Sequence, residues 1–345
     1  MTIFVGMSGG VDSSVSAALL REEGHDVRGV FIKGWYPEGF PCTWKEDRRD
    51  AMRVAAHLGI PFTTLDLTQE YKESVIDYLF AEYALGRTPN PDILCNKDIK
   101  FGHFLTWAKK QGADMIATGH YAQNKDGKLF RGNDAAKDQS YFLYTLTKEQ
   151  LQYVLFPIGH LPKSEVRTLA MQRKIPVAQK RDSQGLCFIG TLDMGAFLSQ
   201  YIPVEPGNVV NQNNEVIGTH KGAVLYTRNQ RHGFTINAQL NEPHYVLSTD
   251  VSNNTITIGP ESALHTNTPK TLTVENITWV HEPLTDEGIA QYRYHGPHIQ
   301  CVNVATHKTT ATVTFSEPLP EQPAAGQSLV FYSGEECRGG GVIVY

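Results

Sequence analysis

The chain is predicted to be an α/β protein: a doubly wound, mostly parallel sheet followed by two small β-rich domains, the last barrel-like. Three observations predict it. Strand and helix signals alternate from the N-terminus to about Thr118. A Ser/Gly turn, Ser8-Gly9-Gly10, separates the first strand from the first helix. The texture shifts from Pro203 onward to short strands between turn residues.

The elements follow in order. Thr2–Met7 reads as a buried first strand and Asp12–Gly24 as a helix with Gly24 as its stop. Asp26–Lys33 is a strand carrying Val27, Val30, Phe31 and Ile32. Thr43 and Glu46 have capping-box spacing, which starts a helix ending near Gly59. Ile60–Leu67 is strand-like, Gln69–Leu85 has apolar residues at helical spacing, and Ala113–Thr118 is a further strand. Strands alternating with helices imply a parallel sheet covered on both faces, with ligands beyond the carboxyl ends of its strands. Thr147 and Gln150 suggest another capping box, and Leu161–Arg173 a helix before Pro176. Beyond Pro203 and Pro206-Gly207 the strand-like stretches are Val209–Val210, Tyr245–Ser248 and Thr255–Ile258, then Thr271–Val274, Ile299–Ala305, Ala311–Phe315, Ser328–Phe331 and Gly341–Val344. Domains are expected at 1–203, 204–262 and 263–345.

Composition bounds the function. The 345 residues are 41% hydrophobic and 19% charged, enough for packed cores. The N-terminus lacks a basic region before its apolar stretch, and no apolar run reaches bilayer length, so a cytoplasmic protein without a membrane partner is expected. A net charge of −5 does not advertise a nucleic-acid partner, yet phosphate contacts need only a local basic face. The five cysteines, Cys42, Cys95, Cys187, Cys301 and Cys337, are odd in number and widely spaced, with no Cys-x-x-Cys pair. That is neither a secreted disulfide framework nor a zinc pattern. Each is core filler or a reactive thiol.

Ser8-Gly-Gly-Val-Asp-Ser-Ser14 is the most informative string. Its glycines let the backbone turn tightly, so that amide groups and a helix N-terminus face an anion together. Ser8 and Ser13 add hydroxyls, and Asp12 is a candidate magnesium ligand. Gly-Lys-Ser/Thr is missing, so this is not a Walker loop. It resembles the pyrophosphate loop of the ATP-pyrophosphatase superfamily, whose members split ATP into AMP and pyrophosphate.

Two longer strings, Gly86-Arg-Thr-Pro-Asn-Pro-Asp-Ile-Leu-Cys-Asn-Lys-Asp-Ile-Lys-Phe101 and Asp182-Ser-Gln-Gly-Leu-Cys-Phe-Ile-Gly190, occur in order with Ala117-Thr-Gly-His-Tyr121 and Lys137-Asp-Gln-Ser-Tyr-Phe-Leu143. Together they resemble the tRNA-specific 2-thiouridylase family over nearly the whole chain. The resemblance implies ATP-dependent 2-thiolation of the wobble uridine of tRNAs for Lys, Glu and Gln, with magnesium, and with sulfur arriving as a persulfide from a cysteine desulfurase or a sulfur relay protein. A uracil C2 carbonyl is a poor electrophile; transferring AMP to its oxygen makes that oxygen leave readily, and a sulfur nucleophile can then attack. Cys187 is implied as persulfide carrier. Cys95 is implied as the second thiol, which cleaves the persulfide or closes a disulfide with Cys187 as sulfur leaves. Asp92 is a candidate general acid/base or a turn-forming residue. Asn90, Pro91 and Asp92 would hold the extruded base in a constrained turn. Arg87 and Lys97, close by in the sequence, are candidate phosphate contacts.

The ATP site implied by the resemblance takes in Gly6, Met7, Ser8, Gly9, Gly10, Val11, Asp12, Ser13, Ile32 and Gly119. Ile32 reads equally as core. His120 matches an RNA-contact position and reads equally as a satisfied structural histidine. Lys137, Asp138 and Gln139 resemble an RNA-facing segment, with a solvated loop as the alternative. Arg293, Tyr294 and Gln327 align with RNA contacts in the last domain, where a cross-strand aromatic pair explains Tyr294 nearly as well. The stretch Arg228-Asn-Gln-Arg-His-Gly-Phe234 departs from the family's Gly-Gln-Arg-Lys-Gly-Leu-like pattern. Two other readings stay open: another ligase or synthetase of the superfamily, or a non-catalytic RNA-binding protein on the same fold.

Overall fold

Five parallel strands form the first sheet because its central strand can be buried on both faces. In the computed structural model, which describes residues 1–40, 44–182, 185, 187, 189, 193–237, 239, 241–284 and 287–345, β1 (Thr2–Gly6) lies in the middle. Helix α1 (Val11–Glu22) leads to β2 (Asp26–Lys33), α2 (Trp44–Leu58) to β3 (Phe62–Asp66), as the alternation predicts. Thr43, the expected cap of α2, and Cys42 lie outside the described residues. Along β1, Phe4 faces one core with Val30, Ile32 and Ile116, while Ile3 and Val5 face the other with Val27 and Phe31. The period of two divides the layers.

The next segment departs from the single helix expected over 69–85. It runs as α3 (Thr68–Tyr71), a π-helical turn (Lys72–Ile76) and α4 (Asp77–Ala84). After a loop, α5 (Pro91–Leu94) continues into a second π-wound stretch (Cys95–Phe104) and α6 (Leu105–Lys110). Strand β4 (Met115–Ala117) then pairs with β1. A hairpin, β5 (Ala122–Lys125) and β6 (Lys128–Arg131), follows. Its Asp126-Gly127 turn has both φ angles positive, at 54° and 76°, as a two-residue hairpin loop requires. Thr147 caps α7 (Lys148–Leu151) with the expected capping box, and β7 (Val154–Leu155) completes the order β3-β2-β1-β4-β7. Sheet order reverses between β1 and β4, where a ligand crevice is expected. Helix α8 (Lys163–Gln172) packs against α1, and α9 (Met194–Tyr201) leads out of the α/β layer.

Two β-rich bodies follow. Strands β8 (Gly207–Val210), β9 (Val216–His220), β10 (Thr235–Ile236), β11 (His244–Asp250) and β12 (Thr255–Pro260) form one sheet around Val209, Val246, Ile256 and Ile258. A short α10 (Glu261–Leu264) leads to β13 (Thr271–Trp279), β14 (Gly288–Gln291), β15 (Ile299–His307), β16 (Thr310–Phe315), β17 (Ser328–Ser333) and β18 (Glu336–Val344). These six strands close into an antiparallel barrel through the β13–β18 pairing. The barrel does not stand alone. β18 also pairs with β6, Glu336 opposite Phe130 and Cys337 opposite Leu129, so the hairpin that follows β4 in the chain extends the last sheet rather than the first. Among the described residues no helix is long and apolar enough to cross a membrane.

All three bodies meet on residues 86–90. The Thr88 amide donates to the Ala325 carbonyl at 2.8 Å, and Gln327 Nε2 donates to the Thr88 carbonyl at 2.6 Å. The Thr88 hydroxyl meets that of Thr227 at 2.9 Å, and Arg87 pairs with Glu275 at 3.0 Å. Gly326 has φ +89°, and a Cβ there would sit 2.9 Å from the Thr88 amide nitrogen. Gly326→Ala is therefore expected to destabilise the fold by about 1–3 kcal/mol, from left-handed strain plus overpacking. A lowered melting temperature by circular dichroism checks this; an unchanged one would show that the junction yields.

Candidate functional site

The anion-binding turn is built by α1 and the end of β1. Gly10 is the N-cap, extended at φ −95° and ψ 170°, and supplies no side chain to the open amides. Those amides are left for a ligand. Ser8 and Ser13 brace the turn. The Ser8 amide donates to Ser13 Oγ at 3.2 Å, and the Gly10 amide donates to Ser8 Oγ at 3.3 Å. Gly9 has φ +76°, and a Cβ there would lie 2.3 Å from the Asp47 carbonyl oxygen. Gly119, at the end of β4, backs onto the first turn of α1: its Cβ would lie 2.6 Å from the Ser13 amide nitrogen. Gly6, Met7 and Val11 complete the turn, with Met7 and Val11 buried in the core shared by α1 and α2.

A charge network surrounds this turn, and most of it was not legible in the motifs. Lys163, from the start of α8, holds both Asp12 carboxylate oxygens at 2.7 and 2.8 Å and also reaches Asp182 at 2.8 Å. The Tyr121 hydroxyl donates to Asp12 at 2.8 Å. Asp182 further pairs with Lys137 at 2.8 Å and Arg167 at 2.6 Å. Burial alone would raise the Asp182 pKa; the Lys137 and Lys163 ammonium groups overcome it and hold the carboxyl down to about 2. Lys180 donates to the Gly9 carbonyl at 3.2 Å and pairs with Asp47 and Asp50, both at 2.8 Å. Among the described residues no group of three or more His, Cys, Asp or Glu could hold a metal. Asp12, the candidate magnesium ligand, is held by Lys163, which bridges it to Asp182.

The two motif cysteines meet. Cys95 opens the π-wound stretch and is fully buried; Cys187 is partly buried, and their thiols hydrogen-bond. The Cys187 backbone is pinned at both polar atoms. Its amide donates to Asp92 Oδ1 at 3.0 Å, and its carbonyl accepts the Tyr71 hydroxyl at 2.7 Å. The expected turn at 90–92 is a helix start: Asn90 is the N-cap, accepting the Asp92 amide at 3.2 Å, and Pro91 occupies the first helical position. The hydrogen bond from Cys95 and the nearby Lys100 ammonium bring the Cys187 thiol down to about 7 against burial. Burial and the neighbouring Cys187 push the Cys95 thiol far up, and burial raises the Asp92 carboxyl. Lys100 reaches His120 Nε2 at 3.5 Å, and His120 adjoins Gly119, which backs onto α1. The thiols and the anion turn are thus joined through Lys100, His120 and Gly119.

The remaining expected residues fall in different places. Ile32 is buried in the core beside Phe4. His120 is buried between Phe101 and Phe156, with Nδ1 2.8 Å from the Thr118 hydroxyl; burial first, then Lys100, hold it neutral. Asp138 is buried and accepts the Gly132 and Ser140 amides, while Gln139 accepts the Tyr121 amide at 3.0 Å. Tyr294 packs on Phe142 at 4.5 Å between centroids, and Arg293 pairs with Glu321 at 3.0 Å, both far from the thiols in sequence. Gln327 lies in the junction with Thr88. Arg87, read as a phosphate contact, is instead ion-paired with Glu82 and Glu275; Lys97 is exposed. Arg228 donates to the Leu247 and Leu264 carbonyls, and Asn229 to Glu321, so the divergent stretch is tied into the fold at its start. Cys301 and Cys337 are buried filler as expected, with both thiols raised by burial.

These shifts separate the thiols chemically, because the thiolate is the nucleophile. Iodoacetamide is expected to label Cys187 with a midpoint near pH 7, its rate rising with pH, while Cys95, Cys301 and Cys337 stay unlabelled at that pH. Peptide mass spectrometry across pH 5–9 reads the result; equal labelling of Cys95 would contradict the asymmetry.

Three family models match the chain in succession: a tRNA methyl transferase HUP domain over residues 1–191, a tRNA methyl transferase PRC-barrel domain over 195–260, and an aminomethyltransferase beta-barrel domain over 269–343. The tRNA-specific 2-thiouridylase MnmA of Streptococcus pyogenes serotype M2 (strain MGAS10270) is 44% identical over 354 aligned positions, covering 99% of this chain and 94% of that protein. The protein of the same name from Streptococcus equi subsp. zooepidemicus (strain MGCS10565) is 44% identical over 355 positions with the same coverage. The first domain descriptions speak of methyl transfer, but these relatives align across all three segments and are named for thiolation. On that end-to-end likeness the chain belongs to the tRNA-specific 2-thiouridylase family of tRNA-uridine 2-sulfurtransferases.

Proposed function

We propose that this chain uses ATP to replace the C2 oxygen of the wobble uridine of tRNA with sulfur. The observation that carries the reading is the Cys95–Cys187 thiol pair, linked by Lys100, His120 and Gly119 to an open-amide turn at the head of α1. The amides of the turn, with Lys163 and Lys180 beside it, suit the phosphates of ATP. Met7 to Ser13, Ile32 and Gly119 would line the nucleotide. Magnesium would enter with the phosphates, Asp12 being its protein ligand once Lys163 turns to them.

The uracil C2 oxygen attacks the α-phosphorus of ATP, releasing pyrophosphate and leaving AMP on that oxygen. The terminal sulfur of a Cys187 persulfide then attacks C2, and AMP departs. Cys95, as thiolate, attacks Cys187 Sγ and breaks the S–S bond. Sulfur remains on C2, a Cys95–Cys187 disulfide closes, and an external thiol reductant reopens it. Asp92, whose burial favours the protonated carboxyl, would exchange a proton beside Cys187, which its contact to the Cys187 amide supports. Asn90, Pro91 and Asp92 would face the base, and His120, Lys137, Asp138, Gln139, Arg293, Tyr294 and Gln327 the RNA. A desulfurase or relay protein would load Cys187, and the substrates would be tRNAs for Lys, Glu and Gln.

Cys187→Ser and Cys95→Ser are each expected to abolish gain of sulfur at the first anticodon position, measured by mass spectrometry of nucleosides after incubation with ATP, magnesium and a sulfur donor. Full activity of either variant would remove the two-thiol scheme. The nucleotide products are expected to be AMP and pyrophosphate; ADP would rule out the adenylation step. Lys163→Ala is expected to raise the KM for ATP about tenfold or more, the scale of one charge-assisted contact, and an unchanged KM would place the phosphates elsewhere.

A further inference from the structure

Cys95 and Lys100 are five residues apart. On an ordinary α-helix of about 3.6 residues per turn, side chains at that spacing point in different directions. The stretch Cys95–Phe104 is wound with i→i+5 hydrogen bonds instead, which turns less per residue and brings positions five apart nearer to one face. Lys100 therefore turns toward the thiol pair rather than away from it. Asn96 Oδ1 holds its ammonium at 2.9 Å, and Asn96 is itself buried, donating to the Phe142 carbonyl at 3.1 Å. The ammonium lies within hydrogen-bonding reach of Cys187 Sγ and faces Cys95 and Asp92. On its other side stands neutral His120 at 3.5 Å. Tyr71, neutral and buried, touches the Cys187 carbonyl.

We propose that Lys100 is the positioning residue of the sulfur carrier: tethered by Asn96, its ammonium compensates the charge on the Cys187 sulfur and makes the two thiols unequal. Cys95 contributes an S–H donor to that same sulfur and so remains the protonated partner until the persulfide has reacted. A positive charge fixed beside one sulfur of a buried pair favours the anion there and disfavours a second anion next to it. Burial would lower the Lys100 pKa, yet the Cys187, Cys95 and Asp92 charges raise it above the ordinary lysine value, so the ammonium keeps its proton at neutral pH. This assignment rests on Cys187 as the sulfur carrier.

The test uses full-length protein without ATP or tRNA, so that it reads ionisation and not turnover. The pH profile of iodoacetamide labelling at Cys187 is measured by peptide mass spectrometry for the wild type, Lys100→Met and Lys100→Arg. In Lys100→Met the midpoint is expected to rise by about one unit or more, so labelling at pH 7 falls about fivefold or more. Lys100→Arg, which keeps the charge, is expected to stay closer to the wild type. A Lys100→Met profile superimposed on the wild type would overturn the proposal. If Lys100→Met does not fold, Asn96→Ala frees the lysine from its tether and is expected to shift the midpoint upward, and no shift there would overturn it equally. Loss of thiolation in Cys187→Ser judges the carrier role separately, because a labelling shift can occur whether or not that cysteine carries sulfur.

Discussion

The two-thiol site exists because the Cys187 backbone is fastened to the start of α5. One carboxylate oxygen of Asp92 takes the Cys187 amide and the Tyr71 hydroxyl takes its carbonyl, so both polar groups of that peptide are satisfied by side chains from different segments. Without this fastening, Cys187 would not be held against Cys95, and Cys95 would be an inert buried thiol. The stiffness of the receiving side comes from Asn90 and Pro91, which set the first turn of α5, and from the junction on residues 86–90 just before it. Asp92 therefore serves two ends. It positions the Cys187 amide, and its charge bears on the Cys187 thiol.

Much of the first sheet was legible from periodicity, because β1 and β2 are buried on both faces and read as apolar runs with capped helices between them. The helical region after β3 was less legible. Apolar spacing does not distinguish α from π winding, and the Cys95–Lys100 relation depends on that difference. The hairpin β5–β6 had its signal in Asp126-Gly127, but its four-residue strands, Ala-Gln-Asn-Lys and Lys-Leu-Phe-Arg, are short and mostly polar, and β5 is the edge of the last sheet. Of the site, the Ser/Gly turn and both cysteines could be found by motif. Lys163 and Lys180 could not, since each reaches the turn from a remote segment and has no local pattern of its own, and Tyr121, although it closes the Ala117-Thr-Gly-His-Tyr121 motif, carries no sign there of its contact to Asp12.

The anion turn and the thiol pair solve opposite electrostatic problems. Around the turn, lysines are already matched to Asp12, Asp47, Asp50 and Asp182, so the folded chain carries no large uncompensated charge before a ligand arrives. An incoming polyanion exchanges partners within an existing network, which costs less than creating one. At the thiols the compensation is asymmetric, one ammonium for one sulfur, and the second sulfur is kept neutral by burial.

The pairing of β6 with β18 joins segments from opposite ends of the chain. During synthesis the outer edge of the hairpin emerges early and stays unpaired until the final strand has left the ribosome. The β5–β6 hairpin thus completes its pairing last, and until then it exposes unsatisfied strand groups to neighbouring chains. Polypeptides interrupted shortly before β18 would carry a nearly complete reaction centre on an open sheet margin, a state prone to association and to removal by quality-control proteases.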